Sequence, residues 1–295
     1  VFVASTYTAI LTEIARDARQ QARILLNTYI DSISAPLDAR AADAQVTLVS
    51  RDGATMKFDE VVVTTPLGWL KRNQATVFSP PLPPPLRAAV HNISLSQLEK
   101  VFITFPSAFW TAAEPAAPVV PCYTNWLRPS YAPETNPQRW PQEIWDLSSF
   151  AAPNGRPTIL FYTYGDCSRH IVNAIDGLSP DDEFRFLDGF FRPYYSRLPG
   201  YDEGAQRCRP SAILATRWLK DDLGGNASYC NFQVGAESAD RDVLALRDGC
   251  PDRRLWFCGE HAAPFEECGT VAGAYLSGEA AGNKIAEAYD RGLDR

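Results

Sequence analysis

The chain has 295 residues, 45% hydrophobic and 21% charged, with a formal net charge of −7. That balance excludes disordered and fibrous classes and leaves apolar surface for about two domains at the usual ~100 to 200 residues each. No basic run is long enough to follow a phosphate backbone, which disfavours direct nucleic-acid binding, and no apolar run reaches the roughly 18 residues of a membrane helix. Seven cysteines without a C-x-x-C pair and three histidines without ligand spacing give no metal site; they read as free thiols of a non-secreted protein.

In chain order, "TAILTEIARDARQQA" sets Ile10, Ile14 and Ala18 at fourfold spacing and predicts a helix, after which "RILLNTYIDSI" alternates into a strand. A small polar connection from Asp38 to Ala44 leads to the strand "QVTLVS", the turn Arg51-Asp52-Gly53 and the run "EVVVTTPLG". Val61, Val62 and Val63 predict a strand buried on both faces. Pro66 and Gly68 end it, and "SPPLPPPLRAAV" is proline-rich enough to be a rigid connection, where we place a domain crossing.

"LEKVFITFP", from Leu98 to Pro106, alternates as a strand, with aromatic and proline-rich loops from Phe109 to Pro141 after it. "EIWDLSSF" and "PTILFYTY" predict sheet strands, and "SPDDEFRFLDGFFRPYYSRL" opens as a helix with Phe184, Leu187, Phe190 and Phe191 on one side. The chain returns to strand at "SAILATRWL" and "RLWFCGEHA". The closing helix carries Val271, Ala274, Gly278, Ala281, Ile285 and Ala288 as one stripe, small enough for a flat ligand or another backbone to approach, with Lys284 on the other side.

Gly269, just before that helix, leaves the N–H groups of Thr270, Val271 and Ala272 free to point outward, where the helix dipole favours negative charge. Glu260, at a strand end beside Gly259, offers a carboxylate that accepts hydrogen bonds from hydroxyls. A polyhydroxylated, anionic cofactor suits both.

"FCGEHAAPFEECGTVAGAYLSGEAAGNKI", from Phe257 to Ile285, resembles the C-terminal cofactor motif of the flavin-containing amine oxidases, the family of polyamine oxidases, monoamine oxidases and lysine-specific histone demethylases. "VVVTTPLGWLK", "SQLEKVFITFPSAFW" and "TRWLKDDLGGNASYCNFQVG" resemble its other blocks, in the same order. The resemblance implies FAD as cofactor, with the Val271 N–H at the flavin pyrimidine oxygen and Glu260 at the ribityl or phosphate portion. Lys100 matches the lysine that holds a water against flavin N5. Trp218 and Tyr229 match positions flanking the flavin, Tyr229 as one wall of an aromatic cage. Thr270 takes the other wall, where many polyamine and monoamine oxidases have tyrosine and the histone demethylases have threonine. "ILLNTYIDSI" resembles the strand that meets the adenine, through Ile30, and Thr64 and Pro66 match the segment over the adenosine side.

The family opens with a strand, a G-x-G-x-x-G turn and a helix that binds the pyrophosphate. No such turn occurs here, so a missing N-terminal segment is expected. The implied fold is α/β: an incomplete Rossmann-like FAD-binding domain from residues 1–72 and 214–295, and a substrate-binding domain, 73–213, with a mixed β-sheet flanked by helices. The implied function is oxidation of a small-molecule amine by hydride transfer to flavin N5, with O2 reduced to hydrogen peroxide. Polyamines come first, other primary or secondary amines second and a methylated lysine side chain third. The alternative is a catalytically silent member of the fold acting as a binding or scaffold module.

Overall fold

The computed structural model describes residues 7–38, 44–111, 123–150, 154–236 and 238–290. Cys122 and residues 39–43 of the polar connection lie outside the described residues. Two compact units share the chain: a first that takes it up to Ile24 and then Leu98–Arg217, and a second of Leu25–Gln97 and Trp218 onward. Residues 73–97, expected from the sequence to open the substrate-binding domain, group with the second unit.

The first predicted helix is present as α1 (Tyr7–Ile14) and α2 (Arg16–Gln21), neither of which buries a residue. The strand expected from Arg23 begins only at β1 (Ile30–Ser34), because Asn27 adopts a left-handed φ of 55° that an extended strand excludes. β2 (Val46–Ser50) turns through Gly53 into β3 (Thr55–Phe58), which its mostly exposed side chains hid from the apolar pattern. β4 (Val61–Val63) comes next.

Pro66 caps α3 (Leu67–Val77), so Pro66 and Gly68 start a helix as well as end a strand. After β5 (Phe78–Ser79), the proline run expected to be a connection initiates α4 (Pro84–Asn92). Proline suits that place because its missing N–H is one that a helix start cannot satisfy. β6 (Ser94–Leu95) closes this stretch.

The first unit then builds β7 (Leu98–Thr104), β8 (Tyr123–Trp126), β9 (Gln142–Asp146), β10 (Thr158–Tyr164), α5 (Gly165–Ile175), α6 (Pro180–Tyr195) and β11 (Ala212–Ala215). Its sheet has the order β11-β7-β10-β9-β8. Every pairing in it is antiparallel, which corrects the mixed sheet expected from the sequence. β8, β9 and β10 follow one another with no α-helix between them among the described residues, and parallel neighbours need a crossover. Ser179 caps α6 by accepting the Asp182 N–H, and Leu187, Phe190 and Phe191 are buried as predicted, while Phe184 is half-buried. An edge-to-face cluster of Phe105, Phe109, Trp110 and Tyr195 fills the core beside them.

The second unit resumes with β12 (Cys230–Asn231), α7 (Ala239–Asp248), β13 (Leu255–Phe257) and α8 (Val271–Asp290). Its α/β organisation is as expected: a sheet β3-β2-β1-β5 whose β1–β5 pairing is parallel, a parallel pair β13–β4 and an antiparallel pair β12–β6. Val62 is 40% exposed, so β4 is not buried on both faces as predicted; among the described residues it pairs with β13 alone. α8 buries Gly273, Ser277 and Ala281, sharing only Ala281 with the predicted stripe. The turn before it decides that choice, since Ser277 Oγ accepts the Gly259 N–H at 3.2 Å and a Cβ on Gly273 would overlap Glu267 O. No helix among the described residues is long and apolar enough to cross a membrane.

A backbone contact joins α3 to the loop after Trp218. A Cβ on Gly68 would overlap Gly225 O, and Arg72 donates to Gly225 O at 3.0 Å and to Asp222 O at 2.8 Å. Gly68→Ala is therefore expected to destabilise the chain by about 1–3 kcal/mol through overpacking. Gly282→Ala, in α8 where a Cβ would meet nothing within 4 Å, is expected to be neutral or to stabilise by ~0.5–1 kcal/mol. Urea midpoints check the pair; equal midpoints would contradict the close approach.

Candidate active site

β4 and β13 run parallel and end together at Val63 and Phe257, and Cys258 N–H donates to Val63 O at 3.1 Å. Their carboxyl ends thus deliver Thr64 and Gly259 side by side, the place where open α/β sheets receive ligands. A cavity of about 320 Å³ opens there, lined by Thr64, Pro66, Trp218, Tyr229, Gly259, Glu260 and His261, with Ala274 from the first turns of α8. A second cavity, of about 290 Å³, also includes Thr64 and is lined by Ile30, Tyr29, Val62, Thr65 and Trp69. The two share a wall, as an elongated dinucleotide requires.

Local hydrogen bonds fix the aromatic walls. Tyr229 O accepts the Ser96 N–H at 2.7 Å, and Ser228 N–H donates to Ser96 O at 3.1 Å, so the Tyr229 backbone is clamped at the start of β12. One residue on, Cys230 N–H donates to both carboxylate oxygens of Glu260, at 3.1 and 3.2 Å. Trp218 opens a loop closed by Asn226, whose side chain donates to Leu219 O at 3.2 Å and whose N–H donates to Asp221 O at 2.9 Å. Gly259 and Gly269 have φ of 147° and 78°, which favour glycine, and a Cβ on Gly269 would stand 3.0 Å from the Tyr229 ring.

Thr270 and Val271 do not line the cavity; Ala274, one turn on, does. Thr270 N–H donates to Glu267 O at 3.2 Å, which corrects the expectation that it points free. Thr270 Oγ1 caps the helix by accepting the Gly273 N–H at 2.9 Å, and Val271 is 58% exposed. Glu267 places a carboxylate at the same helix end, its Oε2 3.2 Å from Thr270 Oγ1. Lys100 belongs to the first unit, half-buried on β7 with Nζ 5.6 Å from the centroid of Tyr162; its N–H donates to Thr216 Oγ1 at 2.8 Å. A further cavity, of about 680 Å³ along α6, is lined by charged groups such as Arg185, Asp188 and Arg192 and by none of the predicted site residues.

Two functional candidates escaped the sequence reading. His261 is 1% exposed and neither ring nitrogen has a partner among the described residues. Thr65 Oγ1, in the second cavity, is likewise buried without one. Buried polar atoms without partners are costly, so these point to a ligand that supplies them. The only sequence signal was His261 standing inside the glycine turn "GEH". These orphans, with Glu260, fit a polyhydroxylated ligand that has both donors and acceptors.

Burial lowers the His261 imidazole from 6.5 to about 4, so it is neutral in the folded chain at ordinary pH. The unfolded chain takes up that proton first as pH falls, so this contribution is complete above 6.5 and is lost on the way to 4. At about 1.4 kcal/mol per unit it amounts to roughly 3 kcal/mol at most. His261→Gln is expected to flatten the fall in urea midpoint between those pH values; an unchanged slope would refute a buried neutral imidazole.

The family model for flavin containing amine oxidoreductase matches residues 5–286. A lysine-specific histone demethylase 1B homolog of Caenorhabditis elegans is 27% identical over 228 residues, 76% of this chain and 25% of that protein. Polyamine oxidase 4 of Oryza sativa subsp. japonica is 26% identical over 239 residues, 81% of this chain and 41% of that protein. Among solved structures, a putrescine oxidase variant from a structure-based redesign of cofactor binding superposes with a TM-score of 0.61 at 15% identity, over 93% of this chain and 52% of that one, a likeness of fold. The chain therefore spans between 25% and 41% of these curated relatives. With the match running through nearly all of its length, the chain belongs to the flavin-containing amine oxidoreductase family, whose cofactor is FAD.

Proposed function

We propose that the chain is the flavin-proximal part of an FAD-dependent amine oxidase that oxidises a C–N bond of a polyamine or related amine, with O2 reduced to H2O2. The observation that carries this reading is the convergence of Trp218, Tyr229, Glu260 and the unpartnered His261 on one cavity. We assign cofactor binding, and the aromatic wall that guides the amine, to the second unit. When bound, FAD would supply the two-electron redox chemistry that no side chain offers.

The chain's own residues bind and orient. Trp218 and Tyr229, 44% and 36% exposed, present ring faces along which a neutral amine is guided. Glu260 spends one lone pair of each oxygen on Cys230 N–H and keeps the others for ribityl hydroxyls. On the motif around it, Val271 N–H at the head of α8 is assigned to the pyrimidine edge, where the helix dipole would favour negative charge, although the cavity reaches α8 only at Ala274. Lys100 is assigned, on the motif around it, to holding the water at N5. The net charge of −7 favours polycationic amines, in keeping with the polyamine oxidase among the relatives. Thr270 leaves the cage one-sided, and the demethylase relatives keep a methylated lysine side chain as the third candidate class.

Titration of the purified chain with FAD, followed by anaerobic spermidine, tests the reading. Saturable binding and bleaching of the flavin band support it, and His261→Leu is expected to weaken FAD binding about tenfold, the effect of ~1.4 kcal/mol. Lys100→Met in FAD-loaded protein is expected to slow flavin reduction or reoxidation at unchanged flavin content; unaltered kinetics would remove Lys100 from the mechanism. Folded, colourless protein that takes up no FAD would support the scaffold reading instead.

A further inference from the structure

One side chain joins the sequence blocks "SQLEKVF" and "TRWLKDD". β11 pairs with β7 as far as Ala215 opposite Val101, which brings Thr216 beside Lys100 where β11 ends. Thr216 N–H donates to Lys100 O at 2.9 Å, as a further rung of the ladder would. The return bond runs from Lys100 N–H to the Thr216 side chain, reaching Oγ1 at 2.8 Å. The Thr216 hydroxyl donates its own hydrogen to Glu99 Oε2 at 2.5 Å. All three residues belong to the first unit.

Glu99 is 0% exposed, on the face of β7 that carries Val101 and Ile103 into the core, whereas Lys100 is half-buried on the other face. A carboxylate in a core row is costly to bury, so what it holds matters. A charged acceptor makes a stronger hydrogen bond than a neutral one, and a hydroxyl whose hydrogen is drawn toward a carboxylate becomes a better acceptor in its turn. From β10, Thr163 Oγ1 donates to Glu99 O at 3.4 Å and shares a hydrogen bond with Ser168 Oγ at 3.0 Å. The peptide groups on both sides of Lys100 are thus held, and with them the direction in which its side chain leaves the strand.

We propose that Thr216, backed by the buried Glu99 carboxylate, is the positioning residue for Lys100. The proposal rests on the assignment of Lys100 to the water at flavin N5. Thr216 holds the lysine's N–H through its hydroxyl and the lysine's carbonyl through its own N–H, so the strand end cannot pivot and the ammonium moves only by side-chain rotation. A group that acts on a reacting centre loses about 100-fold in rate when misplaced by about 1 Å, which is the scale of error that a loosened strand end allows. Thr216 and Glu99 act through Lys100 alone.

Hydrogen exchange of the Lys100 amide, followed by NMR on the chain without cofactor, reads the relay directly. Thr216→Val removes the acceptor and keeps the shape; it is expected to speed that exchange about tenfold while the Phe102 amide changes little, and Thr216→Ser is expected to restore protection. In FAD-loaded protein reduced by spermidine, Thr216→Val is expected to slow flavin reduction about tenfold at unchanged FAD affinity, and to cause no further loss once Lys100→Met is present. Equal slowing in both backgrounds would mark a merely structural residue and overturn the proposal, as would unchanged exchange at Lys100. If Thr216→Val does not fold, Glu99→Gln carries the same measurements; smaller losses are expected, and no loss overturns the proposal. Unaltered kinetics in Lys100→Met would also overturn it, and faster exchange in Thr216→Val would then place the failure in the reading of Lys100 and not in the relay.

Discussion

The grip of the Glu260 carboxylate on the Cys230 N–H is the constraint on which the candidate site depends. Glu260 belongs to the turn after β13, and Cys230 to the short strand that directly follows Tyr229. A charged acceptor shared by one amide is stronger than a neutral pair, and here it closes the distance between segments 30 residues apart in sequence. Ser96 completes the clamp from the other side by bonding Ser228 and Tyr229. Without these bonds the aromatic wall would have only a two-residue strand to hold it.

The same turn orders the helix behind it. Gly259 donates to Ser277 Oγ, and Gly273 admits the carbonyl of Glu267 where no side chain could stand. α8 is thus rotated by its small residues onto the turn, which leaves Val271 exposed at the helix head. Glu267 lies at that head too, so the field there combines a helix dipole with a nearby carboxylate. Any anionic group brought to the helix end meets both.

Much of this was legible in the sequence because it rests on residues that backbone geometry demands. The glycines at 259 and 269, the capped helix after Ser179 and the alternation of β7 all carry local signals that tertiary packing does not override. Six predicted site residues, Thr64, Pro66, Trp218, Tyr229, Gly259 and Glu260, surround one cavity. What escaped was set by long-range pairing. β3 and β8 have exposed or half-buried faces and form only because a neighbouring strand offers its edge. The direction of the strands in the first unit and the exposure of Val62 depend on which strands become neighbours, and hydrophobic periodicity does not encode that choice. The burial of His261 escaped for the same reason, since a histidine reads as polar until its surroundings are known.

Trp218 stands apart from the other tryptophans of the chain. Trp69, Trp110 and Trp256 are buried and Trp126, Trp140 and Trp145 half-buried, whereas Trp218 is 44% exposed on the cavity wall. The red edge of the intrinsic emission therefore originates at that wall, while the buried indoles emit to the blue. Excited at long wavelength, the unlabelled polypeptide carries its own optical probe of what enters the cavity.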